Sequence, residues 1–217
     1  MKNLKEKIDT KETFLLSVHI PKTGGTTFGK ILADSFGDSF LYVYPCENDA
    51  SRFVIHHTLQ GIHDMIHESK GILIEDVIAY IKENNIYAIH GHFEKEITWH
   101  MLRKLDSHFF HITTLAFVRD PIDRVMSELD HYKVHWGINE ITDDHYIRSQ
   151  NMLSRSIDIS FPDLIICRTE QFHKDVQNLG FHWNGISENI TPIKGLHNEE
   201  KIRSYNTQDV ELYRDLL

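Results

Sequence analysis

Residues 14–28 read Phe-Leu-Leu-Ser-Val-His-Ile-Pro-Lys-Thr-Gly-Gly-Thr-Thr-Phe, an apolar run that breaks abruptly into a Pro-Lys, Gly-Gly, Thr-Thr turn. The pattern predicts a strand feeding an anion-binding loop and then a helix. Gly24 and Gly25 allow a tight turn, and the amides of Gly25, Thr26 and Thr27 at the start of that helix converge on a negative group. Lys22 adds a mobile positive charge beside them. Working outward, further strand-like runs fall at 40–44, 87–90, 112–118 and 164–167, with helical patterns between them. The 25–36 segment keeps Phe28, Ile31, Leu32 and Phe36 on one face, and 74–83 does the same with Ile74, Val77, Ile78 and Ile81. Short apolar strands alternating with helices predict an α/β fold of three layers, a central parallel sheet flanked by helices.

Gly24 to Lys30 satisfies seven positions of the triphosphate-binding pattern G-x-x-x-x-G-K-[ST]. The eighth fails, because Ile31 stands where a hydroxyl should hold Mg²⁺. Here the lysine precedes the glycines. That order, Pro21-Lys-Thr-Gly-Gly-Thr-Thr-Phe28, resembles the 5′-phosphosulfate loop of sulfotransferases that use 3′-phosphoadenosine 5′-phosphosulfate (PAPS). A second stretch, 112–133, resembles the 3′-phosphate segment of the same family, a strand followed by Arg-Asp-Pro-x-x-Arg-x-x-Ser. The resemblance implies a P-loop-like fold and PAPS as donor without a metal. It assigns Lys22, Thr23, Gly24, Gly25, Thr26 and Thr27 to the donor's 5′ end, and Arg119 and Ser127 to its 3′-phosphate. Lys22 would stabilise the bridging oxygen between sulfonate and phosphate.

Asp120-Pro121 reads as a helix start: aspartate caps, proline suits the first helical position, and Asp123 adds favourable charge. Arg119 then ends a strand. Ligands of α/β sheets sit beyond the carboxyl ends of the strands, so this arginine and the 21–27 loop should face one site. Arg124, Ser127 and His131 share a helical face, with Arg124 equally suited to an ion pair. The carboxyl-terminal third is less regular. Helices are expected at 143–153, 170–179 and 207–216, with a loop at 185–198; by resemblance, 189–197 would cover the donor.

A base for the acceptor's proton is found in Tyr87-Ala-Ile-His-Gly-His-Phe93, which resembles the His-Gly-His segment of uronyl 2-O-sulfotransferases. The resemblance implies His92 as base, with His90 supporting it or orienting the acceptor, and neutral histidine is available near pH 7. Glu94 and Glu96 are rivals, since related 3-O-sulfotransferases use a glutamate, though their place at a helix start suggests capping. The stretch 145–153, with Arg148 and Gln150, resembles the polar segment near the acceptor. Trp99, Trp136 and Trp183 could each stack on a sugar or fill the core. His63 with His67, and His90 with His92, have metal-pair spacings, but a third ligand at supporting spacing is lacking and no metal is expected. His56 and His57 read as loop residues.

At 217 residues the chain is expected to form one domain, 1–217, with any disorder confined to the first dozen residues. The net charge of −9 argues against nucleic-acid binding, so an anionic ligand must be met by local charge. No stretch is long and apolar enough to span a membrane, which points to the cytoplasm. Beginning at its own Met1, the chain is expected to be complete at that end. Cys46 and Cys167 read as buried thiols rather than a disulfide framework. The expected activity is sulfonate transfer from PAPS to a hydroxyl, on a carbohydrate or other small hydroxylated acceptor, with no sequence signal for oligomeric state. The rivals are a P-loop kinase or NTPase, which Ile31 disfavours, and a catalytically idle nucleotide-binding protein.

Overall fold

The 14–20 run forms β1 (Phe14–Val18), a strand buried along its whole length because both of its faces are covered. The computed structural model describes residues 2–66, 71–109, 111–186, 195 and 197–216. Its other strands are β2 (Phe40–Cys46), β3 (Asp49–His56), β4 (Ile72–Leu73), β5 (Ala88–Gly91), β6 (Ile112–Val118) and β7 (Leu164–Arg168). They form one sheet in the order β4-β3-β2-β5-β1-β6-β7. The five predicted strands make its parallel body, with β1 between β5 and β6. The sheet is mixed rather than wholly parallel, because β3 and β4 add antiparallel to the β2 edge.

Helices α1 (Leu4–Asp9), α2 (Gly25–Phe36), α3 (Leu59–Met65), α4 (Ile74–Glu83), α5 (Lys95–Leu105) and α6 (Pro121–His135) precede β7 or lie between the strands. Around and after it come α7 (Asp143–Arg148), α8 (Met152–Ser156), α9 (Phe172–Asn178), α10 (Glu199–Tyr205) and α11 (Thr207–Asp215). Phe14, Leu16 and Val18 of β1 face Val77 and Ile81 of α4, Met101 and Leu105 of α5 and Leu153 of α8. On the opposite face, Leu15 packs in one cluster with Phe28 and Leu32 of α2 and Val176 of α9. A third cluster joins Val125 and Leu129 of α6 to Tyr146 of α7 and Ile202 of α10. The result is the expected three-layer α/β architecture.

Three expectations change. The head, where disorder was allowed for, is helical from Leu4 to Asp9: Asn3 and Glu6 form a capping box, and Leu4 and Ile8 are buried. The 143–153 helix is broken in two, because Asn151 adopts a left-handed conformation (φ 50°) between α7 and α8. His56 ends β3 rather than lying in a loop, and its Nδ1 accepts from the Thr58 amide at 3.0 Å. Most of the 185–198 segment lies outside the described residues. Cys46 and Cys167 are buried free thiols, as expected. No helix among the described residues is long and apolar enough to cross a membrane.

Candidate active site

The chain leaves β1 at the carboxyl edge of the sheet and turns through Lys22 and Gly24, both with positive φ (68° and 82°). Glycine adopts such a backbone freely, whereas lysine does so only where its surroundings hold it. Thr23 provides that hold. It is buried, its hydroxyl donates to the Ile20 carbonyl at 2.8 Å, and its own carbonyl accepts from the Thr169 hydroxyl at 2.7 Å. Its side chain is therefore a staple of the loop. Gly24 is the N-cap of α2 and has no side chain with which to cap it, so the first amides of the helix face the loop without a capping group. Thr26 is half-buried beside them, and Thr27 is buried. Lys22 is half-buried, not a solvated surface lysine. Burial and the Arg119 guanidinium hold its ammonium below the ordinary lysine range, while the Glu128 carboxylate opposes them.

Arg119 directly follows β6 and lies across the loop from the other side, its Nη1 3.4 Å from the Lys22 carbonyl. Asp120 caps α6 as predicted, accepting from the amides of Ile122 (2.8 Å) and Asp123 (3.2 Å), with Pro121 at the first helical position. Ser127 is half-buried on the second turn of that helix. Arg124 belongs to the frame. It is buried, its Nη1 donates to Glu128 Oε2 at 2.6 Å and its Nη2 to the Ser149 carbonyl, and the Tyr132 hydroxyl completes the Glu128 carboxylate at 3.0 Å. His131, one turn beyond Ser127, is pushed down to about 4 by burial and by the nearby Lys22 charge.

Three histidines meet where β1 and β5 end. The His19 amide donates to the Gly91 carbonyl at 2.7 Å, extending the β1–β5 ladder by one residue and setting His19 beside His92. Gly91 explains the spacing of the His-Gly-His motif: a Cβ there would lie 1.7 Å from the Val43 carbonyl oxygen of β2. His90 is buried under α2, close enough that a Cβ at Gly29 would lie 2.7 Å from its ring, and its Nδ1 is 2.8 Å from the Ser17 hydroxyl. It therefore underlies the site, a place that suits a supporting role. Burial, reinforced by the neighbouring His92, pushes its imidazole down to about 3. His92 is half-buried, its Nε2 3.1 Å from His19 Nδ1, and burial pushes it down to about 4. His19 is held well below the ordinary range, again chiefly by burial. All three rings are neutral at pH 7.

The sulfotransferase family model "Sulfotransfer_2" matches residues 6–211. The chain belongs to the sulfotransferase family. The resemblance to PAPS-dependent sulfotransferases, drawn from the loop and the Arg-Asp-Pro segment, is thereby borne out, and with it the reading of the chain as an enzyme. Among solved structures, the chain is similar to mouse sulfotransferase SULT7A1 complexed with PAP, at 13% identity and a TM-score of 0.42, over 97% of this chain and 72% of that one. No curated protein matches it.

In this sulfotransferase the eighth position of the failed triphosphate pattern, Ile31, is a core residue of α2, packed among Phe28 and Leu32. Glu94 is the N-cap of α5 but makes no side-chain cap there; it is exposed and paired with Arg155. Glu96 stands in the first turn of that helix. Among the described residues no group of three histidine, cysteine or acidic side chains is arranged to hold a metal; His67 lies outside them. Arg148 is exposed at the end of α7 and Gln150 half-buried after it, linked to the site's frame through the Arg124–Ser149 bond. The three tryptophans separate clearly. Trp99 donates to Asp158 at 2.9 Å and packs on Phe161; Trp183 walls a cavity of about 260 Å³ with Thr27, Lys30 and Ile31; Trp136 is 60% exposed and stacks on Tyr132. His19 and Tyr44 are the residues the motifs did not reveal. The available signal was a histidine inside an apolar run, directly before the loop.

Proposed function

We propose that this sulfotransferase moves the sulfonate of PAPS to a carbohydrate hydroxyl, with His92 as general base. The observation that carries the reading is a convergence at one sheet edge: a glycine-capped helix start with Lys22 beside it, Arg119 opposite, and His92 hydrogen-bonded to His19, the histidine that leads into the loop. The loop amides and Lys22 would hold the 5′-phosphosulfate, and Arg119 with Ser127 the 3′-phosphate. The cavity walled by Trp183 shares Thr27 with the loop, and its aromatic wall suits the adenine. The donor supplies an activated sulfonate. The protein's share is position and charge: Lys22 meets negative charge on the leaving oxygen, and His92 takes the proton of the attacking hydroxyl. The exposed ring of Trp136, at the carboxyl-terminal cap of the helix that carries Ser127, is the kind of flat apolar face on which a sugar packs, which supports a carbohydrate acceptor.

Calorimetry with adenosine 3′,5′-bisphosphate and with ATP–Mg²⁺ tests the donor half. Tight binding of the bisphosphate is expected, and binding of ATP–Mg²⁺ alone would overturn it. A screen of glycans with labelled sulfonate donor tests the acceptor half, with label expected on a sugar hydroxyl. His92→Ala should retain bisphosphate binding and lose transfer; undiminished transfer would remove the base assignment. Binding without transfer to any acceptor would favour an idle nucleotide-binding protein.

A further inference from the structure

His19 stands between the donor loop and the residue read as the base. Its backbone is fixed by the bond to Gly91, and its ring occupies the space above Gly25, where a Cβ would lie 2.0 Å from its Cδ2. It stacks on His90 at 4.9 Å between ring centroids and meets His92 edge-on at 4.5 Å. From β2, Tyr44 reaches the same ring: its hydroxyl lies 2.7 Å from His19 Nδ1, the atom that His92 Nε2 approaches to 3.1 Å. Besides burial, the titratable groups acting on His19 are His92, His90 and Lys22.

One ring nitrogen thus serves two partners, and that decides where the hydrogens are. A neutral imidazole nitrogen carries either a proton or a lone pair. The Tyr44 phenol is buried and stays protonated, since burial pushes its pKa up. If His19 Nδ1 bore the proton, the Tyr44 hydroxyl hydrogen would have no acceptor, because Tyr44 makes no other hydrogen bond among the described residues. If Nδ1 bears the lone pair, Tyr44 O–H and His92 Nε2–H share it as a bifurcated acceptor, the shorter bond (2.7 Å) from tyrosine and the longer (3.1 Å) from His92, and neither hydrogen is stranded. Stranding a buried donor is costly, so the second arrangement prevails.

We infer that His19, backed by Tyr44, is a positioning residue that holds His92 in its Nε2–H tautomer, so that Nδ1 is the atom that receives the acceptor's proton. This rests on the reading of His92 as base. In the step, the acceptor O–H proton passes to His92 Nδ1 and its oxygen bonds to sulfur. The bond between sulfur and the 5′-phosphate oxygen breaks, and its electron pair leaves on that oxygen.

The full chain labelled with nitrogen-15 histidine reads the tautomer directly from long-range proton–nitrogen spectra at pH 7, with His92 assigned through the signals lost in His92→Gln. His92 is expected as Nε2–H in the wild type, with Nδ1–H signals emerging in His19→Ala and disappearing again in His19→Asn, whose carbonyl restores an acceptor near the Nδ1 position. An Nδ1–H form in the wild type, or an unchanged spectrum in His19→Ala, would overturn the inference. In transfer assays His19→Ala should lower kcat about 10–100-fold, part of what a positioned base supplies, with adenosine 3′,5′-bisphosphate affinity retained and rate largely recovered in His19→Asn. If His92→Ala abolishes transfer while His19→Ala leaves it intact, this inference falls and the base reading stands. If His92→Ala transfers normally, the base reading itself falls. Should His19→Ala fail to fold, the wild-type tautomer and the His19→Asn variant still decide.

Discussion

Gly91 sits between two histidines because β5 must pass within van der Waals reach of the Val43 carbonyl, and no side chain fits there. Gly91→Ala would put a carbon 1.7 Å from that backbone oxygen, forcing β5 away from β2. We expect a loss of about 1–3 kcal/mol in urea unfolding, together with a fall in kcat as His90 and His92 shift. Lys22 makes a different demand. Its charge counts most when negative charge gathers on the leaving oxygen, so Lys22→Gly, which tolerates the positive φ and removes the ammonium with its aliphatic stem, should cost about 10²–10³-fold in kcat. Adenosine 3′,5′-bisphosphate affinity should fall far less; an equal loss in both would place Lys22 in ground-state binding alone. Lys22, Gly24, Gly25 and Arg119 were legible in the sequence because each lies in a contiguous motif whose chemistry is local. His19 was not, because its partners Tyr44 and His92 are 25 and 73 residues away and only the sheet brings them together. The bracing role of Thr23 was hidden for a related reason, since the Ile20 carbonyl that its hydroxyl meets is known only from the fold.

Helix α6 was legible to the residue at its start, since capping by Asp120 and Pro121 is a property of four consecutive residues. Asp120→Ala removes the acceptor for two first-turn amides and should cost about 1 kcal/mol in urea unfolding. Because Arg119 and Ser127 flank that turn, adenosine 3′,5′-bisphosphate should also bind more weakly; unchanged affinity would mean that the cap does not position them. Strand β5 carries a pH signature. His90 has a folded pKa of about 3 against 6.5 ordinarily. A depressed pKa means that the unfolded chain holds the extra proton between those values, so stability is full above pH 6.5 and drains away as pH falls toward 3. Well inside that window the slope from this residue is about 1.4 kcal/mol per pH unit, and His90→Gln should flatten the pH dependence of urea unfolding by that amount. A slope identical to wild type would show that His90 is not held neutral by the fold. Strands β3 and β4 were missed for opposite reasons. The first half of β3 is exposed and mostly polar, defined by pairing rather than by burial, and β4 is only two residues long. Helix α1 was missed because Leu4 and Ile8 are the only apolar anchors in a charged segment.

At the scale of the molecule, the proposed function asks a chain of net charge −9 to hold a polyanionic donor, so the attraction would have to be local. In that reading Lys22 and Arg119 would supply it at the carboxyl edge of the sheet, and the remaining task of the fold would be to keep that edge closed. The carboxyl-terminal helices do this from a distance in sequence. Asp209 of α11 is buried, and its two oxygens accept from the amides of Leu153 (2.9 Å) and Ser154 (2.8 Å), which cap α8 from across the chain. Asn206 accepts from the Asn151 amide at 2.9 Å just before it. The same aspartate borders the crevice lined by Ile20, Thr23, Arg119 and Arg124, so the closing helix and the proposed donor clamp would share one wall. Asp209→Ala strands amides that belong to the first turn of α8, at about 1–3 kcal/mol for each one left without water. The variant should unfold at lower urea in a single transition, and it should bind adenosine 3′,5′-bisphosphate more weakly because the crevice loses its far side. Asp209→Asn, which keeps one acceptor oxygen, should fall between the two. If Asp209→Ala instead unfolded in two separate transitions, with the clamp still binding normally after the first, the carboxyl-terminal helices would be a detachable cover rather than part of the wall.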